Sequence, residues 1–302
     1  MATTTPYANF IIEDKIKSVL TTQLNMQQFV TVDFSLQASA GMIKKVHVYN
    51  STGSAEDLAQ GSGNTQSIAP QWDEAVYTVI ETQARFPYYD EQAMADPSFI
   101  EAGIKGMAEA MTNDITSKVV GELAKANLGK AGVTWALNDF IDALALYPYE
   151  DEANLFFLIN PATKAAVRKS LKDELKYVED FARTGYIGHI MGVPVFISKA
   201  VPEGYAYLAT KEAVTLFTKK AVETEQERNA NTRLTTLYTR QPRVIALTDA
   251  TRVVVMDAGT YTLTSDQSVV SSKTYYTQDA GGAFHPVASP KTAGLSTYYE
   301  RA

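Results

Sequence analysis

No cysteine occurs among the 302 residues of this chain, which excludes disulfides, thiol nucleophiles and thiolate metal sites together. Histidine is also scarce. His47, His189 and His285 stand far apart, and none has a partner at metal-ligand spacing. No run of about 18 apolar residues is present, and the first residues lack a basic-then-apolar plan, so neither a membrane span nor signal-directed export is expected. Basic residues are the minority, 27 against 34 acidic, for a net charge of −7. That balance excludes a nucleic-acid reader built on a dense basic surface, though not a container that merely encloses nucleic acid. A phosphate-binding GxxxxGK[ST] loop is missing too. Gly61-Ser62-Gly63-Asn64-Thr65-Gln66 begins like a dinucleotide loop but lacks the final glycine and the βαβ frame.

Carboxylates give little chemistry. Glu150, Asp151 and Glu152 follow Pro148 in a solvated turn. Asp139 and Asp142 share a helical face and could be paired as general acid and base, but an exposed polar face accounts for them more simply. The tyrosines and phenylalanines follow strand alternation and are not interleaved with basic residues as in single-strand binding. No catalytic residue, cofactor or metal is expected.

What the chain does have is a long helix fed by a strand. The run from Trp72 to Phe86 alternates as a β-strand, kinks at Pro87-Tyr88-Tyr89-Asp90-Glu91, and enters a helix opened by Asp96 as N-cap and Pro97 at the first helical position. Apolar residues then recur at Ile100, Ile104, Met107, Met111, Ile115, Val119 and Leu123, with Glu101, Lys105, Glu109, Asn113 and Lys118 opposite. The pattern predicts a helix over 97–127, far above the usual length of about 11–12 residues, so one face needs a continuous partner. A bundle or coiled-coil helix would also read this way, but the neighbouring β runs argue against it.

Before it, residues 10–28 form an amphipathic pattern with Ile16, Val19, Leu20 and Leu24 on the apolar face and Asp14, Lys15 and Lys17 on the polar one. Strands are predicted over 30–36 and 45–49, followed by a polar loop of about twenty residues over 50–70. A structureless loop of that length is uncommon inside a compact domain, and becomes reasonable if the hairpin projects. After a glycine-containing break at 128–132 the rhythm is α/β: a helix over 135–146, a buried strand over 155–159, a helix from Asn160-Pro161 to about 171, and short strands at 186–191, 193–198 and 205–209. β signals dominate 213–255, interrupted by a polar stretch at 223–231. Residues 258–302, rich in Thr, Ser, Tyr and Gly, read as an extended tail or a small β appendage.

In order and spacing, these elements resemble the HK97-type major capsid proteins of tailed bacteriophages. The likeness spans residues 10–257. It is carried by Ala84-Arg85-Phe86-Pro87 with Asp90-Glu91 ahead of the long helix, by Phe157-Leu158-Ile159-Asn160-Pro161-Ala162-Thr163, by Ile190-Met191-Gly192-Val193-Pro194-Val195 with Ser198, and by the block 233–256. The resemblance implies an α+β chain with an N-terminal arm (1–28), an extended β-hairpin loop (29–86), a peripheral domain with the long spine helix (87–131 and 218–247), an axial α/β domain (132–217 and 248–257) and a C-terminal extension (258–302). It implies self-assembly through pentamers and hexamers into an icosahedral shell around a double-stranded DNA genome. The partners would be the chain itself, with portal, scaffolding and decoration proteins. The place would be the virion, assembled in the host cytoplasm, with no membrane association. Interface residues would be Ile16, Val19, Leu20 and Leu24 on the arm, Leu58 on the loop, and Glu225 and Arg228 in the polar turn between capsomers.

Some members of that family crosslink subunits through a lysine on the extended loop. Residues 51–71 contain no lysine, with Lys44 and Lys45 only at the base, so no crosslink is expected. A nanocompartment (encapsulin-type) shell of the same fold is the nearest alternative, and a soluble α/β hydrolase with paired carboxylates is a second, from a different class. The arm reading has a direct consequence: deleting residues 1–28, or replacing Ile16, Val19 and Leu20 by Asp, is expected to abolish shell closure while leaving the axial region folded. Electron microscopy of the variants checks this, and closed shells of normal size would refute it.

Overall fold

The computed structural model describes residues 26–38, 40–52, 55–58, 60, 63–96, 98–149, 154–170, 188–264, 269–270, 274–287, 290 and 298–301. Ile16, Val19, Leu20 and Leu24 therefore lie outside the described residues. The chain enters through a 3₁₀ turn, Met26–Phe29, whose Met26 and Phe29 side chains are buried. Strand β1 (Thr31–Asp33) is shorter than its alternating sequence predicts, because Asp33 turns the chain. Its carboxylate accepts from Ser35 N at 2.7 Å and Ser35 Oγ at 2.9 Å, starting a 3₁₀ turn, Ser35–Gln37, that buries Leu36. Local side-chain acceptors of this kind compete with a strand ladder.

Strands β2 (Ile43–Thr52) and β3 (Ala69–Thr78) form a two-stranded hairpin in register from Ile43↔Thr78 to Thr52↔Ala69. Both run further into the polar segment than the sequence suggests, and the remaining tip has order of its own. Glu56 accepts from Thr65 N at 2.8 Å and Gln66 N at 3.3 Å. The strand expected to run unbroken through residues 72–86 is in fact two. Buried Val79 interrupts it, donating its N–H to Met42 O at 2.7 Å, and β4 (Ile80–Tyr89) joins a different sheet.

A short helix α1 (Asp90–Ala95) precedes the long helix α2 (Ser98–Leu123). The Asp96 carboxylate accepts from Ser98 N at 2.9 Å, as an N-cap does. Ile104, Met107, Met111, Ile115, Val119 and Leu123 are buried as the stripe predicts, with Ile100 half-buried. The helix stops at Leu123, and the supposed break contains a strand, β5 (Leu128–Ala131). Helix α3 (Leu137–Leu146) begins two residues late because Trp135 sits at φ 64°. Strand β6 (Leu155–Ile159) is buried at every position, and Asn160 Oδ1 caps α4 (Pro161–Ser170) by accepting from Ala162 N at 2.8 Å. There follow β7 (His189–Ile190), β8 (Val193–Ile197), β9 (Tyr205–Thr210), β10 (Val214–Thr218), β11 (Glu223–Asn229), β12 (Leu234–Leu247) and β13 (Val253–Asp257). The last residues add β14 (Tyr261–Leu263), β15 (Tyr275–Gln278), β16 (Phe284–Pro286) and β17 (Tyr299–Arg301).

Four sheets result. One has the order β1-β10-β12-β11 with β4 also on β12; a second runs β5-β13-β9-β6-β8-β7; the C-terminal strands run β14-β17-β15-β16; the hairpin β2-β3 stands by itself. Strand β11 corrects the sequence reading. Its residues are polar at nearly every position, so periodicity marked an interruption, yet it pairs with β12 from Glu223↔Arg240 to Asn229↔Leu234. Backbone pairing and ion pairs hold it, and no apolar face is required.

Helix α2 lies across β4 and β12. Ile104, Met107 and Ala108 pack with Leu237, while Ile115, Val119, Val120 and Leu123 join a larger core with Leu216, Phe156 and Val253. Between these two clusters sits a buried charge. The Arg243 side chain is 2% exposed; its guanidinium donates to Asp114 Oδ2 at 2.7 Å, Met111 O at 3.3 Å and Gln241 Oε1 at 2.8 Å. Lys118 reaches the same carboxylate at 2.8 Å. Burial works against the ionised Asp114, but the hydrogen bonds from Lys118 and Arg243 outweigh it and hold the carboxyl below the usual range. Removing one partner of a buried pair strands the other charge. Asp114→Ala is therefore expected to lower unfolding free energy by about 2–4 kcal/mol, and Asp114→Leu combined with Arg243→Met to cost less than the single change. Urea unfolding of the unassembled chain measures both.

Candidate assembly surfaces

The hairpin has one face turned to the body and one turned away. On the inner face Val46 packs with Leu36, Val79, Phe217, Val244 and Ala246. Lys44 Nζ lies 4.5 Å above the Phe217 ring, and Tyr77 OH donates to Glu122 at 3.4 Å. The register places Ile43, Lys45, His47, Glu74, Val76 and Thr78 on the outer face. Lys45 pairs with Glu74 there at 2.6 Å, but Ile43 is 61% and Val76 57% exposed, and Ile80 beyond them is 57% exposed. At the tip Leu58 and Ile68 are exposed as well. Each such side chain, once covered, is worth about 1.5–3 kcal/mol, so this face has the chemistry of a contact surface.

The β11–β12 hairpin carries the other interface residues expected from sequence. Both already have partners inside the subunit: Glu225 with Arg240 at 2.6 Å, and Arg228 with Asp90 at 2.8 Å. Arg233 adds a bridge to Glu91 at 2.7 Å while its carbonyl accepts from Asp90 N, so the hairpin end is clamped on the start of α1. Glu225 and Arg228 remain exposed, yet the structure does not bring them together with Leu58.

The carboxylates considered for catalysis serve structure. Asp139 was expected on an exposed face but is buried: it accepts from Thr134 N and Thr134 Oγ1, both at 2.9 Å, and from Ala136 N at 3.1 Å. Lys130 bridges it to Asp142. Burial pushes the Asp139 carboxyl up, while hydrogen bonds from Thr134 and Lys130 prevail and hold it below the ordinary range. Such a group suits the start of a helix, where unpaired N–H groups need acceptors. Of the histidines, His47 is 3.9 Å from Glu74 and His285 is 3.0 Å from Asp279. Among the described residues no cluster of three or more His, Asp or Glu has the arrangement of a metal site, and no helix is long and apolar enough to cross a membrane.

No protein-family model matches the chain. It is 25% identical over 263 residues, 84% of its length and 94% of the relative's, to the major capsid protein of Staphylococcus phage phiMR11. Among solved structures, the capsid of a native GTA particle matches with a TM-score of 0.63 at 13% identity, over 77% of this chain and 89% of that one. A holo-encapsulin complex from Synechococcus elongatus matches at 0.54 with 13% identity, over 76% and 85%. The chain has the HK97 capsid fold.

In this chain the C-terminal residues form a sheet that sequence left open as tail or appendage. Tyr261 stacks on Phe284 with ring centres 3.9 Å apart, and Phe284 meets Tyr299 edge-on at 5.1 Å. Asp257, at the end of β13, anchors it: the carboxylate accepts from Gly259 N at 2.8 Å, from Arg301 Nη2 at 2.6 Å and from Tyr261 OH. The Arg301 guanidinium also lies 4.8 Å above the Tyr205 ring. Burial, and then the hydrogen bond to Asp257, push the Tyr261 phenol far above its ordinary range. Alternating Tyr and Thr with Gly281-Gly282 were the only local signals for this sheet.

Asp139→Ala is expected to destabilise the subunit by about 2–4 kcal/mol through the lost charged hydrogen bonds. Its folded pKa is lowered, so its contribution is complete above the unfolded value and is lost as pH falls through the folded one, beneath the ordinary carboxylate range. Unfolding of both proteins followed from pH 7 downward should therefore show the gap closing in acid; a gap independent of pH would count against this role.

Proposed function

We propose that this chain is a major capsid protein that assembles through pentamers and hexamers into an icosahedral shell enclosing a double-stranded DNA genome. The supporting observation is the projecting hairpin, whose outer face leaves Ile43 and Val76 without cover in the single subunit, with Ile80 exposed beside them at the start of β4. A two-stranded hairpin is marginal by itself, and a neighbour covering it offsets the entropy of ordering it. Interfaces of this type reach stability through area, at about 25 cal/mol per Å².

In this reading residues 1–28 are the arm, and Ile16, Val19, Leu20 and Leu24 bind a neighbouring subunit. The hairpin with Leu58 overlies the next subunit of the capsomer. The β11–β12 hairpin, with Glu225 and Arg228, lies where capsomers meet. Residues 132–217 and 248–257 surround the capsomer axis. Portal, scaffolding and decoration proteins are the expected partners, the shell is built in the host cytoplasm, and the genome is held without sequence-specific contacts, in keeping with the net charge of −7. A compartment shell loaded with protein cargo is the second reading, favoured by the likeness to the encapsulin and weakened by the phage relative's match at sequence level.

Negative-stain microscopy of the expressed, size-fractionated chain is the test. Closed shells or rings of five and six are expected, and the nucleic-acid or protein content of filled shells separates the two readings. Val76→Asp with Ile43→Asp is expected to leave a folded subunit that does not form capsomers. Monodisperse monomer from the unaltered chain, in high salt with crowding agent and co-expressed scaffold, would sink the proposal.

A further inference from the structure

The six-stranded sheet ends at β7 on one side and β5 on the other. Strand β7 has only two residues, too short to template a partner, whereas β5 has four and would present its outer backbone to solvent. The C-terminal sheet occupies that edge. Gly129 N donates to Gly281 O at 2.9 Å, Leu128 makes an antiparallel bridge to Gly282, and Gly132 N donates to Gly259 O at 2.9 Å.

The contact is backbone against backbone. A Cβ on Gly129 would stand 2.7 Å from Ala283 Cα, one on Gly281 would stand 2.4 Å from Asn127 O, and one on Gly282 would stand 2.6 Å from Gly129 O. Gly282 also adopts φ +87°, which other residues rarely do. Natural edges are commonly protected by a lysine pointing outward. Here the single charged residue of β5, Lys130, is bound to Asp139 and Asp142. The edge has no charge of its own to repel a second strand.

We propose that the C-terminal sheet is an edge cover: it fills the strand-pairing edge of β5 and denies it to a second copy of this chain. The Asp257–Arg301 pair and the Tyr205 ring hold the cover down at its other end. Subunits are thereby kept from open-ended strand addition, which makes fibres, whatever contacts close the shell.

The test is hydrogen–deuterium exchange on the full-length chain carrying Gly282→Val or Arg301→Ala, with light scattering and amyloid-dye fluorescence. Peptides over residues 128–132 are expected to exchange about tenfold faster or more in both variants, while 253–257 stays protected and dye-binding aggregates appear. Should Gly282→Val also expose 253–257, the sheet itself has opened, and Arg301→Ala, which adds no atoms, decides. Unchanged exchange at 128–132, release of that edge without aggregation, aggregation without dye binding, or loss of 253–257 in both variants would each overturn the proposal.

Discussion

A helix of 26 residues is about 39 Å long and can bury one whole face only against something of similar length. Strand β12, with 14 residues and about 47 Å, is that partner. Because β12 runs under α2, one helix serves two cores: Ile104 and Met107 seal the first with Leu237, and Val119 and Leu123 enter the second with Leu216. Arg243 ties the strand to Asp114 at the crossing between them. A buried ion pair adds little net stability when complete, but it penalises any sliding of helix over strand, since a shift leaves an arginine without its anion. The hairpins at either side of the subunit are thus mounted on a stiff axis.

The hairpin gains from that stiffness. It is attached by Val46, Val79 and Tyr77 near its base, and beyond them its strands are held by their own ladder. Its outer face and both long edges are open. The β5 edge, in contrast, is closed by three glycine-mediated close approaches, at Gly129, Gly281 and Gly282, and by the hydrogen bond from Gly132 N to Gly259 O. The hairpin leaves apolar side chains exposed while the β5 edge has its backbone paired within the subunit, and each follows from the groups the fold brings together.

The elements legible in sequence were those whose pattern is set by one partner. The stripe from Ile104 to Leu123 faces a single surface, so its period survived to be read. The Asn160-Pro161 step is local capping chemistry, and β6 is apolar throughout because both its faces are covered. Strand β11 was missed because its stability comes from pairing with β12 and from charges such as Glu225–Arg240, neither of which has a period. Val79 divides two strands of different sheets with no proline or glycine to mark the division. Asp139 looked like an exposed acid because the three N–H and O–H donors that its carboxylate accepts from are gathered only by the turn at Trp135.

By itself the sequence determined the absence of thiol chemistry, the acidic balance, the long helix with its cap, and an order of elements close enough to the capsid fold to name it. Those properties depend on composition or on neighbours within a few turns of chain. Only the tertiary structure decided which strands share a sheet, where Arg243 finds its anion, and that the C-terminal residues close the edge at β5. These join positions more than a hundred residues apart, as Asp114 and Arg243 or Gly129 and Gly281 are, and contacts at that separation leave no local periodicity to read.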